Sequence, residues 1–166
     1  MVRRCDLPAA ALLRAYGGPG GHADGYCVDV AGTVSQARFV EAFYTTWLFR
    51  IERALLAVFA RRPSRDVDAH ALATGAGEAF AAWTVEARTA DQLLLADMLG
   101  RTRSWLMTSP VEGNTRLYFG SAVLPRRTSA GTGSMGVVFH SLLGFHAMYS
   151  RALLAAAVRR SARTTP

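Results

Sequence analysis

The feature that most constrains the fold is a long apolar segment near the C-terminal end, SMGVVFHSLLGFHAMYSRALLAAAVRR at residues 134–160. Phe139, Leu142, His146, Tyr149 and Leu153 recur in it at helical spacing, so they line one stripe of an amphipathic helix. Such a stripe has to be buried against a partner. Residues 80–124 supply one, because they read as a run of short strands joined by tight turns. The segment is long enough to span a bilayer, but His140, His146 and Arg151 interrupt it, and a helix packed on a sheet is the better reading. The expected class is α+β, a curved antiparallel sheet wrapped on a long C-terminal helix.

With 166 residues, 51% of them hydrophobic, the chain can bury one good core, so residues 1–166 are expected to form one domain with an N-terminal arm over 1–23. The net charge of +7 would ordinarily suggest nucleic acid or an acidic membrane surface. Every basic side chain is arginine, however, and apart from Arg3/Arg4, Arg61/Arg62, Arg126/Arg127 and Arg159/Arg160 they are dispersed. These pairs sit at segment ends, where solvated arginines are common, and no nucleic-acid-binding motif accompanies them. Neither nucleic acid nor a membrane is therefore an expected partner. Cys5 and Cys27 have no CxxC or histidine company, so no metal site is expected. Two free thiols in a reducing, cytoplasmic compartment are the expectation, with a disulfide between them left open. The apolar run Leu7 to Leu13 is broken by Pro8 and closed by Arg14, so it is read as mature protein rather than a signal peptide.

Along the chain, residues 7–16 can form a helical turn or two, and GGPGGHADG at 17–25 reads as a flexible link holding a loop histidine, His22. Residues 26–30 read as a first strand. Thr33 or Ser35 can cap the helix that follows, and Thr45/Thr46 is a plausible break before a second helix through Phe59. Residues from 66 suggest a further short helix, with His70 at the surface. Beyond Phe80 the period becomes two. Trp83, Val85 and Ala87 are placed on one face, with Thr84, Glu86 and Arg88 on the other. Arg103, Trp105 and Met107 share a side opposite Ser104 and Leu106. Glu112, Gly113 and Asn114 form a hairpin turn, and residues 125–133 form a connector or a lid.

The phrases FVEAFYTT (39–46), AAWTVEART (81–89), DQLLLAD (91–97), GRTRSWLM (100–107) and TRLYFGSA (115–122), in this element order, resemble the START-like, or SRPBCC, helix-grip proteins, within a bacterial DUF2867-type group. The resemblance runs from about residue 24 to the end. It implies a cavity between sheet and last helix that takes lipids, polyketides or aromatic products. Five strands are expected here, against six or seven in larger members.

Candidate ligand contacts are Trp83, Glu86, Arg103, Trp105, Phe119, Phe139, Leu142, His146 and Tyr149. His140 and His146 are six residues apart and so point to different sides of a helix, leaving His146 alone on the apolar stripe. Glu86, Arg88, Asp97 and Arg103 either anchor a ligand from within or form an ion network on the sheet surface. No GxSxG, P-loop or HExxH pattern occurs, and no catalytic residue or cofactor is assigned. The leading expectation is a carrier or sensor of a small apolar molecule. The alternatives are a cyclase or dehydratase using His146, Tyr149 and Glu86 or Asp97, and a membrane-surface or partner-binding module.

Overall fold

The computed structural model describes residues 1–18, 22–59, 63–124 and 149–160, and within them all side chains except those of residues 52 and 55–59. In chain order these residues form strand β1 (Arg3–Arg4), a 3-10 turn (Leu12–Tyr16), strand β2 (His22–Ala31), and helices α1 (Gln36–Tyr44), α2 (Trp47–Phe59) and α3 (Asp66–Thr74). Strands β3 (Ala79–Phe80), β4 (Trp83–Arg88), β5 (Gln92–Asp97), β6 (Thr102–Val111) and β7 (Asn114–Val123) follow. Residues 149–160 are helical and are labelled α4. The rest of the helix expected over 134–160, with Phe139, His140, Leu142 and His146, lies outside the described residues, as does the 125–133 loop.

Local chemistry sets the boundaries. Ser35 Oγ accepts from Arg38 N at 3.3 Å and starts α1. Thr45 Oγ1 donates back to Glu41 O at 2.7 Å, ending α1, and Thr46 Oγ1 accepts from Phe49 N at 3.2 Å, starting α2. The two threonines are therefore the hinge between the helices. Asp68 accepts from Arg65 N at 2.7 Å and fixes the first turn of α3. At the β6–β7 hairpin Glu112 and Gly113 both have positive φ, 46° and 77°, the geometry of a turn whose twist matches its strands.

The strands form one antiparallel sheet in the order β1-β2-β7-β6-β5-β4-β3. It has seven strands rather than the expected five, because β1 and β3 are two residues each, too short to show a period. His22, expected in a flexible link, instead opens β2 and pairs with Val123. A bulge at Glu86 shifts the register between Val85 and Ala87. It overturns the expected alternation there. Val85 packs with the helices, Ala87 packs on the opposite face, and Arg88 is on the helix side, donating to Leu72 O at 2.7 Å at the end of α3.

The sheet buries both faces. On its inner face Tyr26, Val28, Leu93, Leu95, Leu106, Leu117 and Phe119 pack against α1, Phe49 of α2, α3, and Leu153, Leu154 and Ala157 of α4. On its outer face Cys27, Leu94, Trp105, Met107, Tyr118 and Ala122 pack against the N-terminal arm, chiefly Ala11 and Leu13. The arm lies flat because Gly120 has no side chain. A Cβ there would come within 2.7 Å of Leu13 Cδ2, 2.8 Å of Asp24 O and 2.9 Å of Trp105 Cε3. Gln92 fastens the arm: its Oε1 accepts from Leu12 N at 3.0 Å and Trp105 Nε1 at 2.9 Å, and its Nε2 donates to Ala10 O at 3.1 Å. Both cysteines are free thiols on this face, and burial together with a hydrogen bond to Cys27 pushes Cys5 up to about 12.

Candidate functional site

The inner face is not filled everywhere. Between the open ends of β6 and β7, the α1–α2 corner and α4 lies a cavity of about 550 Å³, within the size range of small-molecule sites. Phe43, Leu48, Phe49, Trp83, Phe119, Tyr149 and Leu153 give it an apolar wall, with Ile51 and Val123 at its border. The wall has a cause in the hinge described above. Breaking the helix at Thr45/Thr46 turns α2 away from α1, and the aromatic side chains on either side of the break crowd together. Phe43 lies 4.8 Å from Phe119, and Tyr44 lies 4.8 Å from Phe49 and 5.3 Å from Phe80, measured between ring centroids.

One row of the sheet brings polar groups to this wall. Ser104 of β6 faces Ser121 of β7, which faces Asp24 of β2. Ser121 Oγ donates to Asp24 Oδ1 at 2.7 Å, and Tyr26 OH donates to Asp24 Oδ2 at 3.3 Å. Tyr44 OH and Ser104 Oγ are hydrogen-bonded at 3.2 Å. Burial, and then the neighbouring Asp24 carboxylate, raise Tyr26 above the ordinary tyrosine value, so its phenol stays protonated. Arg151 of α4 holds its guanidinium 5.8 Å from the centre of the Tyr26 ring.

Of the residues expected to contact a ligand, Trp83, Phe119 and Tyr149 come together at the cavity. Arg103 borders it, but its guanidinium belongs to the other face, 2.6 Å from Glu86 and 4.7 Å from the centre of the Tyr16 ring. Glu86 also accepts from Tyr16 OH, so Glu86 and Arg103 fasten the arm rather than facing the helices. Trp105 is fully buried on that same outer face, which removes it from the cavity wall. The reason is geometric: alternation pairs Trp105 with Leu94 and Gly120, all pointing to the arm. Phe139, Leu142 and His146 lie outside the described residues. Asp97 caps its own turn, accepting from Arg101 N at 2.7 Å and Thr102 N at 3.3 Å. Among the described residues, then, Glu86 and Asp97 do not converge with Tyr149.

The residues missed were Phe43, Phe49, Ser104, Ser121 and Asp24. The hairpin at Glu112–Asn114 carried a signal for two of them, since counting outward from that turn sets Ser104 opposite Ser121. A GxGxxG spacing is also present, GTGSMG at 131–136, outside the described residues. A dinucleotide site needs that spacing between a parallel strand and its crossover helix, whereas β7 before it is antiparallel to both neighbours.

No described helix is long and apolar enough to cross a membrane. No protein-family model matches the chain. No curated protein matches it either. Among solved structures the chain is similar to the crystal structure of Ara h 8.0201, with a TM-score of 0.37 and 7% identity over 86% of this chain and 100% of that one.

Proposed function

We propose that residues 1–166 act as one domain that holds a small apolar ligand, a lipid, polyketide or aromatic molecule, between the inner face of the sheet and α4. The observation that carries this reading is the cavity of about 550 Å³ behind Phe43, Phe49, Trp83, Phe119 and Leu153. An apolar void of that size leaves side chains without packing partners, and a folded domain keeps one at a cost in stability. An apolar occupant recovers those contacts. The small hydroxyl residues on the wall, Thr102, Ser104 and Ser121, are of the kind that orient a ligand rather than transform it.

Native mass spectrometry of the purified chain, followed by denaturation and analysis of the organic extract, tests the reading. The expected result is a mass above that of the polypeptide which disappears on denaturation and leaves an apolar compound in the extract. A bare polypeptide that also fails to take up neutral apolar fluorophores overturns it.

A further inference from the structure

A second cavity, of about 370 Å³, opens where α2 begins and the described part of α4 ends, and it shares no lining residue with the apolar one. Thr45, Thr46, Trp47 and Arg50 line it from one side, and Ala156, Arg159 and Arg160 of α4 from the other. Three arginines thus border one space, and among the described residues no carboxylate does. Nor is the charge balanced from behind. Arg50 pairs with Asp66, but the same carboxylate also takes Arg53 at 2.7 Å, so one negative charge serves two cations. Arg159 has no ion pair among the described residues. Like charges gathered around a concave wall repel one another, and a bound anion relieves that repulsion.

The hydroxyls of the wall do not supply donors. Thr45 Oγ1 donates to Glu41 O at 2.7 Å and Thr46 Oγ1 donates to Phe43 O at 3.0 Å, so both protons are committed to the helix hinge. Donation to an occupant falls to the guanidinium groups, whose paired N–H donors match the charged oxygens of a phosphate. A carboxylate offers two oxygens and a single charge. A phosphate monoester offers three oxygens and nearly two charges at neutral pH. Trp47, 67% exposed, stands at the rim and gives the organic part of such an ester an apolar surface to lie on.

We propose that this cavity binds a phosphate monoester, with Arg50 and Arg159 holding the phosphate and Trp47 covering the body that carries it. The shared chemistry is the terminal phosphate, borne by a soluble ester or by a lipid headgroup.

Calorimetric titration with phenyl phosphate at neutral pH is the test. Saturable binding is expected, at least about tenfold tighter than that of benzoate. Arg159→Gln is expected to weaken it by about tenfold, whereas Arg101→Gln, which removes the same charge from the exposed β5–β6 turn, changes it by no more than about twofold. Binding of N-phenyl-1-naphthylamine, a neutral apolar fluorophore, is expected to stay within about twofold in both variants and with phenyl phosphate present, because the two cavities share no lining residue. Vesicles separate the two sources. Cosedimentation with phosphatidylcholine vesicles containing phosphatidic acid, abolished in Arg159→Gln, assigns the phosphate to a lipid, and binding of phenyl phosphate without cosedimentation assigns it to a soluble ester; either supports the site. Failure of both probes overturns the proposal. Equal losses in Arg159→Gln and Arg101→Gln overturn it too, since net charge then accounts for the binding. Benzoate binding as tightly as phenyl phosphate, or phenyl phosphate displacing the fluorophore, overturns it as well. The apolar-ligand reading is tested separately, by the fluorophore and by mass spectrometry, and stands or falls on those.

Discussion

The two faces of the sheet are made from alternate residues of the same strands, yet one is sealed and the other holds a cavity. On the outer face the cover is the chain itself. Residues of the arm lie flat on Leu94, Trp105 and Ala122, with Gly120 allowing contact and Gln92 holding both sides by hydrogen bonds. On the inner face the cover is a set of helices. Helices approach a sheet through side chains of unequal length, and where α1 gives way to α2 the packing leaves about 550 Å³ unfilled. The difference teaches that hydrophobicity alone does not mark a ligand site. Trp105 and Trp83 are both large aromatic residues on strands of the same sheet, but only Trp83 borders the void.

This contrast can be broken by substitution. The largest expected effect is on the sealed face. Trp105→Ala should cost about 3–5 kcal/mol in urea unfolding, because a fully buried indole and one of the two hydrogen bonds to Gln92 Oε1 are lost, with the affinity of the remaining folded chain for N-phenyl-1-naphthylamine changed by no more than about twofold. Lost binding with little lost stability would reverse the roles of the two faces. Gln92→Leu should cost about 2–3 kcal/mol, since buried donors at Leu12 and Trp105 lose their acceptor. Limited proteolysis should then cut within the arm before it cuts elsewhere, and an arm as resistant as in the wild type would show that Gln92 does not hold it.

On the inner face the balance is expected to invert. Val123→Trp fills the border of the cavity, so stability should change by no more than about 1 kcal/mol while fluorophore affinity falls about tenfold or more. Undiminished binding would place the ligand elsewhere.

The smallest effect concerns the helices that frame the cavity. Asp66 is partly buried, which alone would raise its carboxyl, but hydrogen bonds from Arg53 and Arg50 outweigh that and hold it below the ordinary value of 3.8. A carboxyl lowered in the folded state binds fewer protons there than in the unfolded chain. Its contribution is thus present above about pH 4 and is lost as pH falls through the folded value. Because Asp66 is 43% exposed, the contribution is a few tenths to about 1 kcal/mol. Replacing it, Asp66→Asn, should flatten the acid limb of melting temperature against pH by that amount, and an unchanged limb would show the ion pair to be inert.

Much of this architecture was legible in the sequence. Helical spacing located α1, α2 and α3, the threonine pair marked the break that shapes the cavity, and Glu112–Asn114 marked the hairpin. Alternation also sorted Trp105 and Met107 of β6 correctly to the face opposite Leu106. What it does not carry is which face looks at the helices. That depends on residues 5–17 returning to cover one side, a long-range event with no periodic signature, and so Trp105, Glu86 and the Arg103 guanidinium were grouped with Trp83 and Phe119. The bulge at Glu86 has no glycine or proline to announce it. Asp24 was hidden for a different reason. It falls inside the glycine-rich stretch 17–25 that reads as a link, whereas the structure extends β2 back to His22 and pairs Asp24 with Ser121.

The central claim is that a ligand enters the inner face and leaves the outer face untouched, and the chain has three tryptophans with which to see it. Trp83 borders the cavity, Trp105 is sealed under the arm, and Trp47 is 67% exposed. Fluorine NMR of the chain labelled with 5-fluorotryptophan, titrated with 1-dodecanol or N-phenyl-1-naphthylamine, resolves them. The Trp83 resonance should shift while that of Trp105 stays fixed. A shift of Trp105 with Trp83 unmoved would contradict the account.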